Sequence, residues 1–161
     1  MIVLLILVAL YLIKKELLVV IIFTLLDFAK SILKVKFRFV PVDLCFVFGF
    51  CAAYFYNPIY SLVILVIADF NRFVFGFFEE RHFIGHLRDI AVFLIVPFFR
   101  FLPFATAGIV IVFLKYFLNF SLQFIFYQRL YITKLHFYLI NIMASLALIY
   151  LIDMIKFILC N

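Results

Sequence analysis

The chain has 161 residues, of which 71% are apolar and only 14% are charged, and its mean hydropathy is +1.36. A soluble domain of this size needs more polar surface than this composition supplies, so the outside of the protein is expected to face lipid. The net charge of +6 does not predict a nucleic-acid partner. The basic residues lie in short connections between apolar segments, where they orient a chain in a membrane.

The apolar segments predict an all-α fold, a polytopic transmembrane helical bundle that forms one integral membrane domain over residues 1–161. They are too long and too continuously apolar for barrel strands, which alternate with a period of two. Helices satisfy their own backbone hydrogen bonds in hydrocarbon. At about 20 residues per crossing, the chain has room for roughly six spans. Membrane lipid is therefore a predicted partner, and the cell (plasma) membrane is the predicted location.

The first half of the chain contains two predicted helical regions. The apolar stretch over residues 2–33 is interrupted by charges at 14–16, and it fits either one span or two short ones. A basic connection at 34–38 separates this stretch from a helix over 43–56. That helix ends at Asn57-Pro58, a dipeptide typical of tight turns.

Four more apolar segments follow. A full-length span is predicted over residues 59–78, and the polar segment 79–89 is predicted to be a solvated connection. Apolar sequence resumes over 90–99. The last two spans are predicted over 104–126 and 137–159, with a polar connection between them.

The basic residues predict an orientation. If residues 2–33 form one span, the connections after the second and fourth spans carry only Arg100. The connections after the first, third and fifth spans carry Lys34, Lys36, Arg38, Arg81, Arg129 and Lys134. The positive-inside rule then places these odd connections in the cytoplasm and both termini outside. Two spans within residues 2–33 would move the N-terminus inside.

One predicted span carries an ion pair. Asp69 and Arg72 are three residues apart on one helical face, with Asn71 beside them, and they can pair locally. A central Asp or Arg costs about 2.5–3.5 kcal/mol on insertion scales, so each is expected to face the bundle and find a partner. Two interpretations stay open: part of a polar substrate or proton site, or a pair that fixes helix packing.

Polar side chains also form stripes on the last two spans. Lys115, Asn119 and Gln123 recur at intervals of four, and Asn141 and Ser145 form a shorter stripe. Such stripes turn toward neighbouring helices, because lipid offers them no hydrogen bond. They could line a polar cavity or make interhelical hydrogen bonds. Together with the ion pair they give the candidate substrate-binding residues Asp69, Asn71, Arg72, Lys115, Asn119, Gln123 and Asn141.

No metal, cofactor or catalytic residue is predicted. Glu79, His82, His86 and Asp89 have the spacing of one helical face and are capable of binding metal. Charges of both signs surround them, however, as in a solvated connection. The sequence has no HExxH, GxSxG, Walker or GxGxxG motif, so the chain is predicted not to be an enzyme. Asp27 lies late in its span and is expected to reach the lipid headgroups.

The predicted helix over 43–56 is rich in small residues. Gly49 and Ala53 form a small-xxx-small pair with Ala52 adjacent, and this pattern permits close approach of two helices. It indicates either packing within the bundle or docking of a partner subunit.

The run VPVDLCFVFGFCAAYFYNPIYSLVILVIADFNR, residues 40–72, resembles a signature shared by two related groups of small membrane proteins. These are the substrate-binding S components of energy-coupling-factor transporters and the rod-shape protein MreD. In both, an Asp-Leu opens a helix rich in small residues, a Gly-Pro-type turn follows, and the next helix ends near an Asp. The corresponding positions are Asp43-Leu44, Gly49, Ala52-Ala53, Asn57-Pro58 and Asp69, with Asn57 in place of the usual Gly.

The resemblance implies two alternative functions. A protein similar to an S component would be the substrate-capture subunit of a membrane transporter. It would bind a small-molecule substrate between helices and need an energising integral membrane partner subunit. A protein similar to MreD would be a non-catalytic membrane scaffold or assembly protein.

Overall fold

The computed structural model describes residues 15–37, 43–76, 81–127 and 135–160. These residues form only helices and short turns, without a strand, which confirms the predicted all-α class. In chain order, the elements are α1 (Lys15–Phe37), α2 (Leu44–Phe55), α3 (Pro58–Val74), α4 (Arg81–Ile95), a 3₁₀ turn (Val96–Phe99), α5 (Phe104–Tyr127) and α6 (Leu135–Cys160).

Asn57 and Pro58 form the predicted turn between α2 and α3. The Oδ1 atom of Asn57 accepts a hydrogen bond from the backbone N–H of Ile59 at 2.9 Å. Pro58 occupies the first helical position, where its missing N–H leaves no bond unmade. At the other end of α2, the Oδ1 atom of Asp43 accepts from the N–H of Phe46 at 3.2 Å and caps the helix.

Two of the described helices are long and apolar enough to cross a membrane, over Phe104–Ile125 in α5 and His136–Ile155 in α6. Helix α2 is apolar but has only 12 residues, about 18 Å, which is less than the roughly 30 Å of a hydrocarbon core. A bundle of six full spans is therefore not confirmed. Residues 2–14 lie outside the described residues, so the choice between one and two spans in the first stretch stays open.

Helix α2 forms the core of the bundle. It packs against α1, α3, α4 and α6 and against the 3₁₀ turn, and an apolar helix enclosed in this way needs no polar face. Its buried residues are Cys45, Phe46, Val47, Gly49, Phe50, Cys51, Ala52 and Ala53.

The small residues of α2 allow its neighbours to approach closely. The ring of Phe93 on α4 lies against Gly49, so closely that a β carbon there would be 2.3 Å from the ring's Cζ atom. Ala52 and Ala53 are buried beside this contact. The structure thus places all three small residues inside the bundle, where they serve helix packing.

The outer surface is strongly apolar. Phe73, Phe101 and Phe117 are 73%, 80% and 68% exposed, and they belong to a large set of exposed Phe, Leu, Ile, Val and Met side chains. Asp27, Asp89 and Lys115 are buried instead. This distribution is the reverse of that in a soluble protein, where charged side chains are almost never fully buried unless they are paired.

The prediction of a solvated connection over residues 79–89 is wrong for its described part. Helix α4 begins at Arg81, and the side chains of His86 and Asp89 are buried in the bundle. The mixed charges suggested solvent, yet His86 contacts Asp69 on α3 and Asp89 faces Lys115 on α5. Residues 79 and 80 lie outside the described residues.

Candidate functional site

A buried lysine lies at the centre of the site. Lys115 on α5 is 1% exposed, and its ammonium group forms an ion pair with Oδ2 of Asp43. The same Nζ atom lies 3.9 Å from Oδ1 of Asp89 and 3.9 Å from the ring centre of Phe46, within the range of a cation–π interaction. Asp43 therefore both caps α2 and holds the lysine of α5.

An arginine connects α4 to α5 beside this lysine. The Nε and Nη2 atoms of Arg88 lie 2.8 and 2.7 Å from Oδ1 of the adjacent Asp89. Its Nη1 atom donates to Oδ1 of Asn119 at 2.7 Å. Because Asp89 also faces Lys115, its carboxylate is shared by two cations.

A second group of charges joins α3 to α4. Nη1 of Arg72 lies 3.1 Å from Oδ1 of Asp69, which confirms the predicted local pair. Nε2 of His86 lies 2.9 Å from the same oxygen, so the carboxylate also interacts with a residue that sequence reasoning had assigned to a loop. The pair is one part of a three-residue arrangement.

Helix α1 contributes a further carboxylate. Nδ2 of Asn71 donates to Oδ2 of Asp27 at 2.9 Å. Asp27 is buried, and the expectation that it reaches the headgroups is therefore wrong.

These contacts link α1 to α5 into one arrangement, which we call the buried charge cluster. It contains four carboxylates and three cations, with one histidine and two amides among them. Removing a charge from water costs several kcal/mol, and only close pairing offsets that cost. The members are Asp27, Asp43, Asp69, Asn71, Arg72, His86, Arg88, Asp89, Lys115 and Asn119.

Two members retain buried nitrogen atoms without a hydrogen-bond partner among the described residues. Neither ring nitrogen of His86 makes an aligned hydrogen bond, although Nε2 is at ion-pair distance from Asp69. The Nδ2 atom of Asn119 is also buried and unpartnered. Buried polar groups are nearly always bonded, so these nitrogens are the atoms of the cluster at which a further hydrogen bond could form.

The structure brings together five of the seven predicted substrate-binding residues: Asp69, Asn71, Arg72, Lys115 and Asn119. Gln123 donates from Nε2 to the hydroxyl of Tyr138 on α6 at 2.7 Å. Asn141 is half-buried on α6, and no contact in the described residues joins either of these two to the cluster. The predicted polar stripe on α5 faces neighbouring helices along its whole length.

Sequence reasoning missed Asp27, Asp43, His86, Arg88 and Asp89 as site residues. One usable signal was the spacing of three between His86 and Asp89, which places both on one helical face. In the sequence, Asp43 was identified only as the residue that opens a helix, and its pairing with Lys115 joins residues 72 positions apart.

No metal site is visible in the described part of the chain, where no three His, Cys, Asp or Glu side chains are placed to share an ion. Glu79 lies outside the described residues, and so does the side chain of His82.

Arg100, the one basic residue in the even-numbered predicted connections, has a local structural role. Its Nη2 atom donates to the backbone oxygens of Ala53 and Tyr56 at 2.6 and 2.7 Å. Carbonyls at the end of a helix have no intrahelical partner. Arg100 therefore caps the C-terminal end of α2.

Comparison of the chain with protein-family models, with curated proteins and with solved structures gives no match. The resemblance to S components and MreD stays a prediction.

Proposed function

We propose that the protein is an integral membrane protein with the buried charge cluster near the middle of the bilayer. The apolar exterior and charged interior support this arrangement. Lys115 lies eleven residues after Phe104, the first residue of α5, or about 16 Å along the helix. That distance is close to half of a hydrocarbon core of about 30 Å.

We further propose that the protein is the substrate-capture subunit of a membrane transporter and binds a small solute at the buried charge cluster. The cluster carries this proposal, because ionisable residues inside a membrane are expensive and mark substrate or ion pathways. Its contacts connect five helices. Its unpartnered nitrogens on His86 and Asn119 supply groups that a solute could bind.

Uptake by such a subunit requires an energising partner. The sequence contains no Walker motif, which is the usual loop for nucleotide phosphates. A partner subunit would therefore supply the energy, as in transporters of the type that residues 40–72 resemble.

Solute capture can be tested by retention. Purified protein in lipid nanodiscs would be incubated with a small-molecule extract of the expression host and separated from free solutes. Bound compounds would then be identified by mass spectrometry. We expect a compound retained at close to one per protein by the wild type and lost in Asn119→Leu. Arg88 keeps its bonds to Asp89 in that variant. Asn141→Leu, the same change outside the cluster, should retain the compound.

A scaffold function is the second candidate, and one observation favours it. The carboxylates at Asp43, Asp69 and Asp89 each face a cation of the same chain, so the ion pairs are complete without a ligand. In that case the cluster would fix the arrangement of the helices for assembly with other membrane proteins. Retention of no compound by either the wild type or Asn119→Leu would favour the scaffold over solute capture.

A further inference from the structure

We infer that His86 is a proton-binding site inside the bundle, where Asp69 stabilises the charged ring and Arg72 competes for the same carboxylate oxygen. The proton binds at Nδ1 of the imidazole. The inference rests on the contacts between α3 and α4. It therefore does not depend on whether the cluster captures a solute or only fixes the helices.

The position of the ring determines which nitrogen can take up a proton. Nε2 of His86 lies 2.9 Å from Oδ1 of Asp69. At that separation a bare ring nitrogen and a carboxylate would repel each other, so Nε2 carries the hydrogen of the neutral ring. Nδ1 is then the acceptor, and it is buried without a hydrogen-bond partner among the described residues. A proton from the solvent binds to its lone pair, and the ring gains one positive charge.

Histidine suits this role because its charge changes between about pH 5 and about pH 8. Only 11% of the His86 side chain is exposed, and burial opposes the charged form of the ring. The carboxylate of Asp69 offsets that cost, because an opposite charge within about 4–6 Å favours the charged form. Ionisable side chains inside a membrane are typical of proton relays, and His86 is the member of the cluster whose charge changes in this pH range.

Charged groups on the neighbouring helices also act on the ring. On α3, Nη1 of Arg72 lies 3.1 Å from the Oδ1 atom of Asp69 that faces His86. Asp69 and Arg72 act on the ring more strongly than the paired side chains of Arg88 and Asp89 on α4 itself. The titratable groups nearest to these on the other helices packed against α4 are Asp43 and Cys45 at the start of α2 and Lys115 and Tyr116 on α5.

NMR of ring-labelled histidine makes proton binding visible. The full chain in lipid nanodiscs would be titrated from about pH 8 to about pH 4.5, and the carbon and nitrogen shifts of each ring report its protonation state. The sequence has three histidines, and the signal that is lost in His86→Gln identifies His86. We expect a neutral ring with its hydrogen on Nε2 at the upper end of the titration and a doubly protonated ring at the lower end.

Two variants connect proton binding to the neighbouring charges. Asp69→Asn should lower the pH at which half of His86 is protonated by about one unit or more, because the carboxylate that stabilises the charged ring is lost. Arg72→Gln should raise this pH, because a positive charge beside the ring is removed. Asp153→Asn removes a half-buried carboxylate on α6 and should leave it unchanged.

Three results would overturn the inference. The first is a ring of His86 that stays neutral throughout the titration. The second is the same pH of half-protonation in the wild type and in Asp69→Asn, and the third is an equal change in Asp153→Asn. If Asp69→Asn loses its helical circular dichroism, Arg72→Gln decides: a rise supports the site, and an unchanged or lower value overturns it. If neither variant folds, the wild-type titration decides.

Discussion

Removing the positive charge of Lys115 should destabilise the protein more than removing both partners of its ion pair. In Lys115→Met, the carboxylate of Asp43 stays buried without its closest cation. Loss of one partner from a buried pair costs about 3–5 kcal/mol. Asp89 is affected less, because Arg88 still contacts it at 2.7 Å.

The double variant Lys115→Met with Asp43→Asn should recover much of that loss. Asn is as good an N-cap as Asp, so the hydrogen bond to the N–H of Phe46 can be kept while the charge is removed. Replacing a complete buried pair by neutral groups of similar volume is often nearly neutral in stability. We expect the double variant to be at least about 2 kcal/mol more stable than Lys115→Met.

Stability would be measured as the free energy of unfolding in mixed micelles titrated with a denaturing detergent. The chain has no Trp, so helical circular dichroism is a better signal than fluorescence. Lys115→Met with Asp153→Asn is the matched control, since Asp153 is a half-buried carboxylate on α6 with no contact to Lys115. If the stability losses of Lys115→Met and Asp43→Asn simply add in the double variant, the two residues do not form a stabilising ion pair. The same conclusion follows if Asp153→Asn restores as much stability to Lys115→Met as Asp43→Asn does.

Two further predictions concern packing and the second charge group. Gly49→Ala should cost about 1–3 kcal/mol by overpacking, because its β carbon would lie 2.3 Å from a ring atom. Gly85→Ala should not lower stability, because the nearest atom to its added β carbon would be 3.8 Å away. If both variants lower the melting temperature equally, the ring of Phe93 does not lie as close to Gly49 as the structure shows. Exchanging Asp69 and Arg72 should restore only part of the stability lost in the single variants, because His86 would then face a cation. Adding His86→Gln to the exchanged pair should restore more, and complete recovery without that change would show that His86 is not coupled to the pair.

The helices were largely predictable because their signals are local. Continuous apolar sequence predicted the all-α class, and the Asn57-Pro58 turn was confirmed by a cap and a proline at the first position of α3. The pairing of Asp69 with Arg72 followed from a spacing of three, which is also local. Lys115 and Asn119 were predicted to face other helices because lipid gives a polar side chain no partner.

The rest of the cluster depends on contacts between distant parts of the chain. A sequence with mixed charges, such as residues 79–89, is compatible with a solvated loop and also with a helix whose charged face points into the bundle. Only the positions of α3 and α5, which carry the partners of His86 and Asp89, distinguish the two. The carboxylate of Asp43 meets Lys115 across 72 residues, and no spacing rule connects them. The six predicted spans are not confirmed, because only two of the described helices are long and apolar enough to cross a membrane and α2 has only 12 residues.

Spin-label depth measurements would determine whether the buried charge cluster lies near the middle of a bilayer. Labels would replace Phe113 and Phe101, which are 59% and 80% exposed, in protein reconstituted into lipid vesicles. Phe113 lies two residues before Lys115 on α5, and Phe101 precedes the start of that helix. We predict that the label at 113 collides mainly with oxygen, as at mid-depth, and the label at 101 mainly with a water-soluble nickel chelate. Equal access of the chelate to both positions would show that the cluster does not lie near the middle of the bilayer.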